Sequence, residues 1–254
     1  MELGLTDKTV LVTDAGSGIG RATALAFVEE KACVAVGYHT DREAAEETAA
    51  LAVKRGGHAI SFRLDPARPE ELEAAVEDAR WELGPISVLV NNAVRRPGRA
   101  IPGELFETAP AERFTASVNA NLIGPYLLAR AVVADMREER WGRIVNVSTG
   151  PVEDGFSDST PYIAAESGLH GLTRAMSREL ACAGILSNLV MPGFTPGDEH
   201  VPPELIEKPG RAAATRAINR SDDVARLIVF LCSAANTNTT GEVIRTDGHF
   251  LSPT

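Results

Sequence analysis

Cysteine, basic charge and long apolar runs are all scarce in this chain, and each scarcity removes a class of function. Cys33, Cys182 and Cys232 are its 3 cysteines, far apart and without a CxxC pair. That excludes a disulfide framework or thiolate cluster and reads as reduced, core or near-core thiols in a cytoplasmic protein. No HExxH occurs, and His39, His58, His170, His200 and His249 are scattered, so no metal spacing can be read. Lysine and arginine number 25 against 35 acidic residues, for a formal net charge of -10. An acidic surface makes nucleic acid or an anionic membrane a poor partner. No run approaches the roughly 18 apolar residues of a membrane span, and MELGLTDKTVLVTDAG carries charges where a signal peptide needs its apolar segment.

What the chain does have is alternation. KTVLVT (8–13) is an apolar, β-branched run, followed by a glycine turn and the helically spaced IGRATALAFVEEKA. CVAVGY (33–38) leads into DREAAEETAALAVKRG, which Gly56 and Gly57 stop. Strands are predicted again at 58–64, 86–91, 143–149, 186–191 and 242–246, with helices at 70–83, 111–138, 160–183 and 222–234. Trp81 and Trp141, between helices and strands, read as packing residues. The pattern predicts an α/β fold: a Rossmann-like, doubly wound, mostly parallel seven-stranded sheet with helices on both faces, in one domain over 1–254. The longest irregular piece, PGFTPGDEHVPPELIEKPG (192–210), has the length of a lid or substrate loop.

The turn TDAGSGIG (13–20) follows the first strand and opens a helix. In that setting Gly18 and Gly20 let the backbone approach a pyrophosphate while Ser17 and Ile19 complete the turn. Asp14 complicates this, because a carboxylate facing the ligand repels phosphate. The second strand ends in Tyr38 and His39, followed by Thr40 and Arg42, with no acid to accept ribose hydroxyls. A 2′-phosphate is then not rejected, so the cofactor expected here, if one binds, is NADP(H).

The motifs NNAV (91–94), NLIG (121–124), IVNVST (144–149), YIAAE (162–166), PGFT (192–195) and TTGEVIRTDGH (239–249), taken with the glycine turn, resemble the short-chain dehydrogenase/reductase family over nearly the whole chain. The resemblance implies catalytic roles for Asn121, Thr149 and Tyr162, with Tyr162 giving a proton to a carbonyl oxygen as hydride arrives. It also implies a dinucleotide held by Ser17, Gly18, Ile19, Gly20, Tyr38, His39, Asp65, Asn92, Pro192 and Gly193, and a homodimer or homotetramer. Thr149 stands where the family usually has serine. Three departures carry weight: Asp14 and Val94 where the family prefers glycine, and Glu166 where it has lysine. Glu166 lies one helical turn from Tyr162, on the same face. An ammonium there favours the phenolate, and a carboxylate disfavours it.

Three readings of function follow. In the first, Tyr162 and Glu166 perform general acid–base chemistry on a small organic substrate (isomerisation, dehydration or cyclisation) with weak or absent redox turnover. The second is an NADP-preferring ketoreductase or alcohol dehydrogenase that tolerates Glu166. The third is a binding or assembly partner that kept the fold without catalysis. Candidate substrate-loop residues are Glu153, Asp154, Phe194, Asp198 and His200, with Asp158 and Glu199 beside them.

Overall fold

The computed structural model describes residues 2–65, 68–95, 106–153, 155, 157, 159–197 and 201–249. Its strands are β1 (Thr9–Val12), β2 (Cys33–Tyr38), β3 (His58–Arg63), β4 (Ile86–Asn91), β5 (Gly142–Val147), β6 (Ile185–Pro192) and β7 (Val243–Thr246). They form one sheet in the order β3-β2-β1-β4-β5-β6-β7, with every neighbouring pair parallel. The helices are α1 (Gly18–Glu29), α2 (Arg42–Lys54), α3 (Pro69–Leu83), α4 (Ala111–Val118), α5 (Gly124–Glu138), α6 (Thr160–Leu180), α7 (Pro203–Ala212) and α8 (Ser221–Leu231).

Side chains alternate across the sheet with a period of two, and each face has its own core. Val10, Val12, Val34, Val36, Val88, Val90 and Val145 pack with the apolar faces of α1, α2 and α8. Leu11, Ala35, Leu89 and Ile144 point the other way and pack with α3, α5 and α6. Burial on both faces is why these strands read as unbroken apolar runs. Because the strand order reverses between β1 and β4, the loops leaving those two strands diverge at the carboxyl edge and open a crevice there.

Several sequence expectations need correction. The helix predicted over 111–138 is interrupted by a π-helical turn, Asn119–Ile123, between α4 and α5. Pro125 has no N–H to return to the carbonyl of Asn121, and Gly124 N–H bonds Asn119 O in the wider register. The fifth strand stops at Val147 rather than 149, and Thr149 instead leads into a 3-10 turn, Gly150–Val152. The 192–210 stretch is not irregular throughout: Pro192 belongs to β6, and α7 starts at Pro203, a residue type suited to a helix's first turn. Cys182 is exposed rather than near the core, whereas Cys232 is buried. Trp81 is 88% exposed and does not pack, while Trp141 lies under Lys8 and Arg143, the guanidinium 4.5 Å from the ring centroid.

Candidate active site

The turn after β1 is stitched to the segment after β4. Thr13 Oγ1 accepts from the backbone N–H groups of Asn92 (2.9 Å) and Ala93 (2.8 Å), and Asn92 Nδ2 donates to the carbonyls of Thr13 and Asp14. Gly20 sits so tightly in this joint that a Cβ would lie 2.1 Å from Asp14 O and 2.7 Å from Asn92 Nδ2. Gly18 has a different reason to be glycine: its φ is +51°, and the only atom near a Cβ there would be Gly197 Cα, at 3.7 Å. The segment after β6 therefore passes over the glycine turn. Ser17 is the extended N-cap of α1, and its side chain makes no capping bond.

Beside the turn, at the carboxyl edge between β1, β2 and β4, lies a cavity. Asp14, Tyr38, His39, Thr40, Leu64 and Leu72 line it from β1, β2 and their neighbours, and Asn91, Ala93, Val94 and Arg95 from the β4 side. Asp14 adopts φ +52°, a left-handed conformation that aspartate tolerates better than most residues. Its carboxyl is pushed above the ordinary range by desolvation and then by Asp41, with His39 opposing. His39 Nε2 lies 3.4 Å from Asp65 Oδ2.

Asn121, 1% exposed and inside the π-helical turn, clamps the backbone of Arg95. Its Oδ1 accepts from Arg95 N at 2.7 Å, and its Nδ2 donates to Arg95 O at 2.8 Å and to Ser117 Oγ at 3.2 Å. Thr149 is half-buried just beyond β5, and the adjacent Gly150 lies close to Pro192 O at the end of β6. Tyr162, half-buried, occupies the first turn of α6, and Glu166, 1% exposed, follows one turn later. Gly168 lets α6 press on the π-helical turn, since a Cβ there would meet Leu122 Cδ2 at 2.6 Å. The parallel sheet thus brings Asn121, Thr149 and the start of α6 to one edge, together with Pro192, Gly193 and the glycine turn.

Other predicted residues are placed differently. Glu153 pairs with Arg245 at 2.5 Å on the outside of the edge, and Phe194 is 45% exposed. Asp154, Asp198 and His200 lie outside the described residues, as do Asp158 and Glu199. His170 is half-buried, with Nε2 3.5 Å from Ser148 Oγ; burial and then Arg174 hold its ring below the usual histidine range, against Glu153.

Sequence reading missed a buried polar ladder. Asn91 Nδ2 donates to Asn146 Oδ1 (2.9 Å), and Asn146 Nδ2 donates to Thr173 Oγ1 (2.8 Å), tying β4, β5 and α6 together beneath the site. The signal was available: each asparagine interrupts an apolar strand, and the two are register partners. Among the described residues, no cluster could hold a metal and no helix is long and apolar enough to cross a membrane.

A family model described as enoyl-(acyl carrier protein) reductase matches residues 15–250. The chain is 33% identical over 247 residues to the 3-oxoacyl-[acyl-carrier-protein] reductase of Thermotoga maritima, covering 96% of this chain and 98% of that protein. The chain belongs to the short-chain dehydrogenase/reductase family. Solved structures of similar proteins agree. A dehydrogenase/reductase from Sinorhizobium meliloti superposes with a TM-score of 0.87 at 27% identity, covering 98% of this chain and 96% of that one. LugOII, a promiscuous reductase that catalyses keto-reduction at C1 during lugdunomycin biosynthesis, superposes with a TM-score of 0.85 at 32% identity, covering 95% and 96%. Family membership brings enzymes, and oxidoreductases in particular, as the relatives of this chain.

Proposed function

We propose that the protein is a nicotinamide-dependent ketoreductase or alcohol dehydrogenase that interconverts a carbonyl and a hydroxyl on a small organic substrate. One observation carries the reading: Thr13 and Asp14 of the glycine turn line a cavity at the carboxyl edge, at the point where strand order reverses. Gly18 takes a left-handed φ of +51° where α1 begins, and the amides of that first turn suit a pyrophosphate. The residues present therefore fit a dinucleotide. Gly18, Ile19, Gly20 and Ser17 would hold its phosphates; Tyr38, His39, Asp65 and Asn92 would surround its adenosine; Pro192 and Gly193 would border its nicotinamide end. The relatives named for carbonyl reduction support this reading over cofactor-free acid–base chemistry.

Hydride comes from the reduced nicotinamide when it is bound. The chain's own residues supply the rest: Tyr162 gives a proton to the carbonyl oxygen, and the Thr149 hydroxyl orients that oxygen. Asn121 holds the Arg95 backbone and so fixes a wall of the crevice.

Glu166 stands where the family has lysine. It is 1% exposed, and burying a carboxylate is costly unless it is neutral or well partnered. A neutral carboxyl does not oppose a phenolate on Tyr162, and it offers one O–H donor to a ribose hydroxyl where an ionised one offers none.

The test is consumption of NADH and NADPH by the purified protein with a panel of 3-oxoacyl thioesters and small ketones. Tyr162→Phe should lower turnover by a factor on the order of 10²–10⁴ without changing the melting temperature. No consumption with any carbonyl by the folded protein, or equal turnover in the variant, overturns the reading.

A further inference from the structure

We infer that Asp14 selects the unphosphorylated dinucleotide, offering its carboxylate to the adenosine ribose from the β1 side of the crevice in place of the acid that β2 lacks. The inference rests on the dinucleotide reading above and goes beyond it, because the end of β2 taken alone points to the phosphorylated cofactor.

In folds of this kind an acid at the end of the second strand accepts the ribose hydroxyls, and a 2′-phosphate meets repulsion there. Here β2 ends in Tyr38, with His39 and Thr40 beyond, and Asp14 lines the same cavity as those three. The β1–α1 turn is pressed onto β2. Ala15 N–H donates to Gly37 O at 2.9 Å, and a Cβ on Gly37 would lie 3.0 Å from Val12 O. That contact brings a side chain from the turn to the place a β2 carboxylate would occupy. A carboxylate only accepts hydrogen bonds, and each of two ribose hydroxyls has an O–H to donate to it.

The surrounding charges point the same way. Arg42 is committed to Glu46 at 2.6 Å, and Arg63 and Arg68 each hold Glu71 at 2.6 Å. His39 faces Asp65, and the Asp41 carboxylate caps α2 by accepting from Ala44 N–H. A 2′-phosphate arriving here meets Asp14 with Asp41 close by, while Asp65 is already answered by His39 at 3.4 Å, Arg68 at 3.6 Å and Arg63 at 4.0 Å. The cavity's lining itself carries one arginine, Arg95, from the segment after β4. The left-handed φ at Asp14, where glycine is the easier residue, is a conformational cost consistent with a side chain kept for its chemistry.

The experiment is calorimetric titration of the purified protein, Asp14→Asn and Asp14→Gly with NADH and, separately, NADPH. Asparagine keeps the shape, tolerates the same φ and removes only the charge. The native protein should bind NADH at least about tenfold more tightly than NADPH, and Asp14→Asn should bring the two within about threefold. Equal or tighter NADPH binding by the native protein overturns the inference, as does a preference that survives in Asp14→Asn. Binding by Asp14→Gly alone identifies Asp14 as an obstruction and also overturns it, while leaving the dinucleotide reading standing. Absence of binding by all three folded proteins overturns both.

Discussion

Replacing Gly20 by alanine isolates the packing on which the glycine turn depends. A Cβ at this position would sit 2.1 Å from Asp14 O, with Asn92 Nδ2 at 2.7 Å. Ordinary carbon–oxygen contact needs more than 3 Å, so either α1 or the turn must move by roughly 1 Å. The atom in the way is backbone, held by the Asn92 amide and by the Ala15 to Gly37 bond, so it cannot rotate aside. Overpacking at a site this rigid costs about 1–3 kcal/mol. For a chain of this length each kcal/mol lowers the melting temperature by about 2–4 °C, so Gly20→Ala should melt some 2–12 °C below the native protein.

The control is Gly18, where a Cβ meets nothing closer than 3.7 Å but φ is +51°. Gly18→Ala should lose about 1–2 kcal/mol from the left-handed conformation alone, and Gly18→Asn should recover part of it, because asparagine adopts that conformation more readily. No polar substitute should rescue position 20, where the obstacle is volume. Thermal melts of the four variants read this directly. A Gly20→Ala protein with the native melting temperature, or an asparagine rescue at 20 but not at 18, refutes the assignment of sterics to one glycine and backbone conformation to the other.

Thr173→Val keeps the shape of the side chain and removes the acceptor of the Asn146 amide, in a ladder where both residues are 0% exposed. It should cost about 1–3 kcal/mol in urea unfolding, and an unchanged midpoint would show that the ladder is dispensable. His170, held below its usual range, binds a proton less readily folded than unfolded. Its contribution to stability is therefore complete above the unfolded value of 6.5 and is lost as pH falls below it towards the folded value. His170→Gln should flatten the fall in melting temperature across that acidic window, and an unaltered slope would assign the fall to other groups.

The fold was legible because both faces of the sheet are covered. Val10, Leu11 and Val12 serve two cores at once, so the strand appears as an apolar run that no half-exposed strand would show. The break at Asn119–Ile123 was harder to read, since both flanking segments keep helical spacing and only the Gly124-Pro125 pair hints at a change of register. Trp81 shows the opposite failure: a large aromatic residue suggests a core, yet nothing in its spacing on α3 forbids the solvent face it takes. At the site, two motifs that the sequence offers separately meet where Gly20 packs on Asp14 O and Asn92 Nδ2. The contact between the Gly18 position and Gly197 joins segments far apart in sequence and was not readable from either alone.

Glu166 shows why a charge pattern changes meaning once burial is known. Read along the helix, a carboxylate one turn from Tyr162 opposes the phenolate that carbonyl reduction requires, and the sequence then favours non-redox chemistry. That opposition belongs to an ionised side chain. At 1% exposure the ionised form carries a desolvation penalty that an exposed glutamate escapes, so protonation competes with repulsion. A protonated Glu166 carries no charge to oppose the phenolate and keeps one O–H donor. The acid–base reading and the reductase reading therefore differ in one proton on this residue. A proton on Glu166 removes the repulsion that disfavours carbonyl reduction, whereas cofactor-free catalysis by Glu166 as a base needs it absent.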